Sequence, residues 1–259
     1  MKNTTNAKEA FSTLLEVMAT LRKECPWDRK QTMESLRSLT IEEVYELGDA
    51  VLSDNMEEVK KELGDLMMHL VFYACIAEEK GDFEMADVLT GVCEKLRYRH
   101  PHIYGDVSVK DENDVSRNWE KLKLKEKDRD HTVLGGVPQS LPALVKAYRI
   151  QDKVRAVGFD WKKKEHVWEK VREELEELEV EIQRGDTEKA EEEFGDFMFS
   201  IINASRTYGI NPDNALEKTN RKFIKRFSYI ENKARQTGRN VADLSLEEMN
   251  DYWDEAKKN

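Results

Sequence analysis

The sequence has little of what punctuates or crosslinks a chain. Its 259 residues include 5 prolines, 12 glycines and 3 cysteines. Cys25, Cys75 and Cys93 are odd in number and form no C-x-x-C pair, which argues against a disulfide framework and a thiolate zinc site and leaves ordinary reduced thiols. No stretch approaches the roughly 18 consecutive apolar residues of a membrane span. The amino-terminal MKNTTNAKEAFSTLLEVM has no continuous apolar segment of the signal-peptide kind, so a soluble, cytoplasmic protein without a membrane partner is expected. Positive charge is also short. A formal net charge of −11 opposes the broad phosphate-backbone footprint that nucleic-acid binding needs. A small anionic ligand stays compatible, because a local basic cluster or a metal ion can reverse the global sign.

What is abundant is charge on an apolar frame, with 37% charged and 39% hydrophobic residues, a balance that suits helices with solvated outer faces. Pro26, Pro101, Pro138, Pro142 and Pro212 all interrupt apolar periodicity, as helix boundaries do. The pattern predicts an all-α chain with helices near 8–23, 34–53, 56–79, 82–99, 111–127, 141–156, 164–184, 187–207, 212–235 and 245–257.

The chain repeats itself. KKELGDLMMH at 60–69 returns as EEEFGDFMFS at 191–200, a shift of 131 residues (62 to 193). The same shift superposes Glu43 and Glu46 on Glu174 and Glu177, and Val44, Leu47 and Val51 on Leu175, Leu178 and Ile182. It also superposes Leu63, Leu66, Met67, Leu70 and Val71 on Phe194, Phe197, Met198, Ile201 and Ile202. At a shift of 127, Lys95 and Arg99 meet Lys222 and Arg226. The turn-rich stretch at 126–142 reads as the junction of two helical-bundle domains, 1–128 and 129–259.

Residues three apart share a helix face, so Glu43 with Glu46, and Glu62 with Asp65, each form a pair, and the short SDNM connection makes their helices antiparallel neighbours. Four carboxylates then converge, and Glu174, Glu177, Glu193 and Asp196 repeat the arrangement across QRGD at 183–186. Unit charges about 4 Å apart repel by roughly 4 kcal/mol at an effective dielectric of 20, so such a set calls for a divalent cation. An all-oxygen donor set suits Mg²⁺ or Mn²⁺. A lone ExxE is usually a solvated face; the ordered combination of ExxE, turn and ExxD in two dissimilar copies favours a site. Gly64 and Gly195 suggest a close backbone approach between the acids, with Phe194, Phe197 and Met198 as the core that aims them.

Magnesium commonly binds with substrate phosphates. Lys95 with Arg99, and Lys222 with Arg226, lie four apart on a helix and can clamp a phosphate by point charge and guanidinium fork. The histidines, His69, His100, His102, His131 and His166, show no metal-ligand spacing beyond His100 and His102, which flank Pro101 and read as a helix end. Trp27 and Trp161 read as core aromatics or as borders of a ligand pocket.

EEVYE with ELGD and EELEE with EFGD resemble the MazG family of nucleoside triphosphate pyrophosphohydrolases, and CPWD at 25–28, RHPH at 99–102, NWEKLK at 118–123, VGFDW at 157–161 and NRKFIKRF at 220–227 extend the likeness over nearly the whole chain. The resemblance implies a full-length form with two tandem MazG-like domains, a homodimer, and Mg²⁺-dependent hydrolysis of nucleoside triphosphates to monophosphate and pyrophosphate with broad base tolerance. It implies that Asn220, which Cys93 does not match, makes the second half the main catalytic unit. Lys222, Arg226, Lys189, Lys95 and Arg99 would contact substrate, and Glu177 or Glu193 would orient the water. Trp253 would contact the nucleotide or simply pack. Two other readings share these features: a catalytically idle helical dimer that binds nucleotide or protein, which loss of motif acids would favour, and a narrower all-α pyrophosphatase of the dUTPase-like or phosphoribosyl-ATP kind, against which the tandem architecture argues.

Overall fold

The turn between the two acidic helices shows how closely the second half copies the first. In a computed structural model, which describes residues 4–123, 132–161 and 163–258, α2 (Met33–Leu52) and α3 (Met56–Lys80) are joined through Asp54, and α8 (Lys164–Arg184) and α9 (Thr187–Thr207) through Gly185. Both joints are left-handed, with φ of 55° at Asp54 and 74° at Gly185, and the two positions differ by the same 131 residues. Glycine takes this conformation without a Cβ clash, and aspartate is among the few side chains that tolerate it. The next residue caps the following helix in each case: Asn55 accepts from the Glu58 amide at 3.4 Å and Asp186 from the Lys189 amide at 3.2 Å.

The chain divides into two compact units, Met1–Lys110 and Asp111–Asn259. The junction expected at 128/129 lies on residues outside the described set, and α6 (Glu112–Lys123) falls within the second unit. The first unit holds α1 (Thr4–Glu24), the α2–α3 pair, α4 (Met85–Arg99) and a single turn, α5 (Pro101–Tyr104). The second holds α6, α7 (Ala143–Ala156), the α8–α9 pair, α10 (Pro212–Gln236) and α11 (Leu246–Ala256). No strand occurs among the described residues, as an all-α reading requires. The short α5 escaped the sequence reading because Pro101 looks like a stop; it is the first helical residue, where a missing N–H costs nothing.

In the first unit α1 and α2 pack against α3 around Met18, Leu36, Val71, Phe72 and Ile76. Arg22 ties α1 to α3 through a two-pronged pair with Glu79, at 2.7 and 2.8 Å, which holds the Glu79 carboxyl below its ordinary range. The second unit has two smaller clusters, Val167, Val171 and Ala204 between α8 and α9, and Ile230, Ala234 and Leu244 between α10 and α11.

Leu36 is 1% exposed, so Leu36→Ala is expected to cost about 2–5 kcal/mol of stability through lost burial and the cavity left behind. Leu246→Ala, at a residue 74% exposed, is expected to change it by less than about 0.5 kcal/mol. Urea denaturation of the two variants beside the parent checks both values.

Candidate active site

Antiparallel pairing brings the acids of each helix pair together, but as trios. In the first unit carboxylate oxygens of Glu43, Glu62 and Asp65 lie within 4.8 Å of one another, and in the second those of Glu174, Glu177 and Glu193 do. Glu43 and Glu174, and Glu62 and Glu193, are equivalent positions; the third member is Asp65 from α3 in one unit and Glu177 from α8 in the other. Glu46 and Asp196 are exposed and stand outside these trios. Glu177 and Glu193 of the second trio line a depression of about 440 Å³ whose walls also carry Glu173, Glu176 and Glu181.

Crowding leaves its mark on the titration of these groups. Burial, then the charge of Asp65, pushes the Glu43 carboxyl up; partial desolvation, then Glu174, does the same to Glu177. Glu62 is 2% exposed and its Oε2 has no hydrogen-bond partner. Its Oε1 accepts from Lys61 Nζ at 3.0 Å, which pushes that ammonium up, while Glu174 Oε1 faces Lys170 Nζ at 2.6 Å, and Lys170 is pushed up by Glu173 first and Glu174 second. Lys61 and Lys170 are not equivalent positions, so each unit has found its own cation to offset part of the charge. Neither lysine was singled out from sequence; Lys170, one turn before Glu174, could have been found from i,i+4 spacing.

The glycine expectation does not survive. A Cβ added at Gly64 or Gly195 would meet nothing within 4 Å, so no backbone approaches either position within its unit. The aiming core is also smaller than expected. Phe197 packs into the α8–α9 cluster, whereas Phe194 and Met198 are 53% and 46% exposed. The physical reason is that a helix hairpin buries only the stripe facing its partner and the helix behind it. Val71, Leu178 and Ile202 face inward. Val44, Val51, Leu63, Met67 and Leu70 face outward, as do their five equivalents Leu175, Ile182, Phe194, Met198 and Ile201.

The basic candidates stand on neighbouring helices. Lys222 is exposed on α10, which packs against α7 and α9; one turn on, the Arg226 guanidinium lies over the Trp253 indole, 5.4 Å from its centroid. Trp253 is half-buried, tilted on Phe223 at 5.0 Å and packed against the α10–α11 cluster, so its packing role is real and it also holds Arg226. Asn220 donates to Glu217 at 3.3 Å, and Lys189 is exposed on the first turn of α9. In the first unit Lys95 is exposed and Arg99 is buried. His69 is buried, the His100 and His102 rings meet at a tilt of 52° at the α5 start, and His166 and Trp161 meet edge to face; His131 lies outside the described residues. Trp27 and Trp161, at 57% and 47% exposed, are not core residues.

Known proteins carry the same arrangement of sequence. The MazG nucleotide pyrophosphohydrolase domain matches residues 31–104 and 162–230, which include both helix pairs with all eight acids. A Thermotoga maritima protein named nucleoside triphosphate pyrophosphohydrolase/pyrophosphatase MazG is 42% identical over 250 residues, covering 95% of this chain and 95% of its own. An Escherichia coli nucleoside triphosphate pyrophosphohydrolase is 37% identical over 252 residues, 95% of this chain and 96% of its own. The uncharacterized protein YabN of Bacillus subtilis is 44% identical over 96% of this chain but only 52% of its own length. Matched twice by the domain and along nearly its full length by these relatives, the chain belongs to the MazG nucleotide pyrophosphohydrolase family.

Proposed function

We propose that the chain hydrolyses nucleoside triphosphates between the α- and β-phosphates, with Mg²⁺, or Mn²⁺ in its place, held by its paired carboxylates, and with broad tolerance of the base. The names of the relatives support the reaction class. The observation that carries the metal is the trio of carboxylates repeated in both units. Its donors are all hard oxygens, Glu62 Oε2 is buried without a partner, and burial followed by neighbouring carboxylates pushes Glu43 and Glu177 up. These residues fit a hard divalent cation. Glu43, Glu46, Glu62 and Asp65 would hold it in the first unit, and Glu174, Glu177, Glu193 and Asp196 in the second. Bound there, the cation would offset the carboxylate charge, screen the triphosphate and lower the pKa of a coordinated water.

The side chains do the rest. Water oxygen attacks the α-phosphorus, with Glu177 and Glu193 as the candidates for orienting it, and the bond from that phosphorus to the bridging oxygen breaks. Pyrophosphate leaves with the electron pair. Lys222, Arg226 and Lys189 take up its charge, Arg226 braced by Trp253 and Asn220 beside Lys222, with Lys95 and Arg99 as their counterparts in the first unit. The second unit is the main catalytic one, since it alone pairs Asn220 with the basic clamp.

The five outward apolar positions shared by both helix pairs support a homodimer, because an exposed stripe of Leu, Ile, Val, Met and Phe is stable only when covered. No helix among the described residues is long and apolar enough to cross a membrane, and the charge of −11 weighs against nucleic acid. A cytoplasmic location completes the proposal.

Incubated with each nucleoside triphosphate, the protein is expected to release monophosphate and pyrophosphate with Mg²⁺ and nothing with EDTA. Diphosphate plus phosphate as products, or turnover that persists in EDTA, contradicts the mechanism. Glu193→Gln is expected to lower turnover at least about 100-fold, the upper end of what disturbing a metal's outer partners costs. Glu62→Gln should leave most of it, and loss of turnover in Glu62→Gln alone would move the main site to the first unit.

A further inference from the structure

The second unit contains a cavity of about 400 Å³ whose lining includes positions that in the first unit hold the buried core residues Met18 and Phe72. Helix α7 packs on α9 as α1 packs on α3. Aligned on Arg22 and Arg155, α1 and α7 match at a shift of 133, which sets Met18 against Gln151; the 131 shift of the acidic helices sets Phe72 against Asn203 and Cys75 against Arg206. In the first unit Met18 and Phe72, each 2% exposed, are the centre of the core, and Cys75 packs against them. In the second unit all three positions are polar, and all three line the cavity.

These polar groups are built into the protein. Gln151 is 4% exposed, and its Nε2 donates to the Phe199 carbonyl at 2.7 Å, which fixes the amide orientation and leaves Oε1 as the atom without a partner. Arg206, 8% exposed, donates to Asn203 Oδ1 at 2.9 Å and to Asp160 Oδ1 at 2.6 Å. Phe159, Trp161 and Phe199 supply aromatic walls, with Phe159 80% exposed at the rim. A buried amide oxygen with no donor is costly, and the fold had an apolar solution at this position, which the first unit uses. A flat, apolar ligand carrying an N–H on its edge would satisfy both walls and oxygen.

We infer that this cavity receives the base of the nucleotide, with Gln151 Oε1 accepting an N–H from the base's pairing edge. The inference rests on the hydrolase reading for its choice of nucleotide. Helix α9 connects the two places, with Glu193 near its start and Asn203 ten residues on, about 15 Å along the axis at 1.5 Å per residue. That is the scale from a carboxylate that orients water at the α-phosphorus to the pairing edge of the base. Adenine, cytosine, guanine and uracil each present an N–H donor on the pairing edge, so one acceptor admits all four and rejects a base that has none. Gln151 is thereby a specificity residue that recognises a feature common to the bases.

The test uses monophosphates, which neither reading of the chemistry consumes. Calorimetric titration of the full chain with AMP and with purine riboside 5′-monophosphate, which keeps the rings and lacks the exocyclic amine, is expected to give about tenfold weaker binding of the second. In Gln151→Met, the residue of the first unit, the two ligands should bind alike. Equal affinities in the parent protein, a preference that persists in Gln151→Met, or no AMP binding at millimolar concentration would overturn the assignment. The parent comparison does not depend on any variant folding. Diphosphate plus phosphate as products of triphosphate turnover would instead count against the hydrolase reading alone.

Discussion

Everything in this molecule turns on the repulsion among carboxylates that its own helices force together. Two unit charges at about 4 Å oppose each other by roughly 4 kcal/mol at a surface-like dielectric, and each trio contains three such contacts within 4.8 Å. The chain meets part of this with Lys61 in one unit and Lys170 in the other. Glu43 and Glu177 are held up by burial first and by their neighbouring carboxylates second, and Glu62 Oε2 stays unpartnered. The arrangement is kept twice, although a single lysine or glutamine would relax it.

The two units keep different things from their common plan. Both retain the left-handed joint at Asp54 and Gly185 and the cap that follows it, because these set the register in which the acids meet. Both retain the five outward apolar positions. They part company behind the acidic helices. The first unit fills that space with Met18, Phe72 and Ile76 and braces it by the Arg22 to Glu79 pair. The second opens it with Gln151, Asn203 and Arg206 and so trades packing for an aromatic-walled cavity that carries a few buried polar groups.

Much of this was legible in the sequence. Helical periodicity located the long helices because they are long and capped by residues such as Asn55, Asp186 and Ser245. The 131 repeat picked out the acids because both copies keep residue type and spacing together. The failures have a common cause, which is that period and spacing say which residues share a face but not what that face meets. Phe194 and Met198 lie on an apolar stripe and are nonetheless half-exposed. Gly64 and Gly195 sit inside unbroken helices with nothing nearby. Gln151 was invisible because one buried glutamine looks like any other in a charged helix, yet carrying the repeat back into α1 would have set it against Met18.

The central claim is that the converging carboxylates bind a divalent cation, and metal binding tests it without relying on turnover. Titration of the protein with Mn²⁺, followed by the paramagnetic resonance signal of the free ion, is predicted to show less bound manganese in Glu62→Gln and in Glu193→Gln than in the parent, and no specific binding when the two changes are combined. A combined variant that still binds manganese as the parent does would contradict the account.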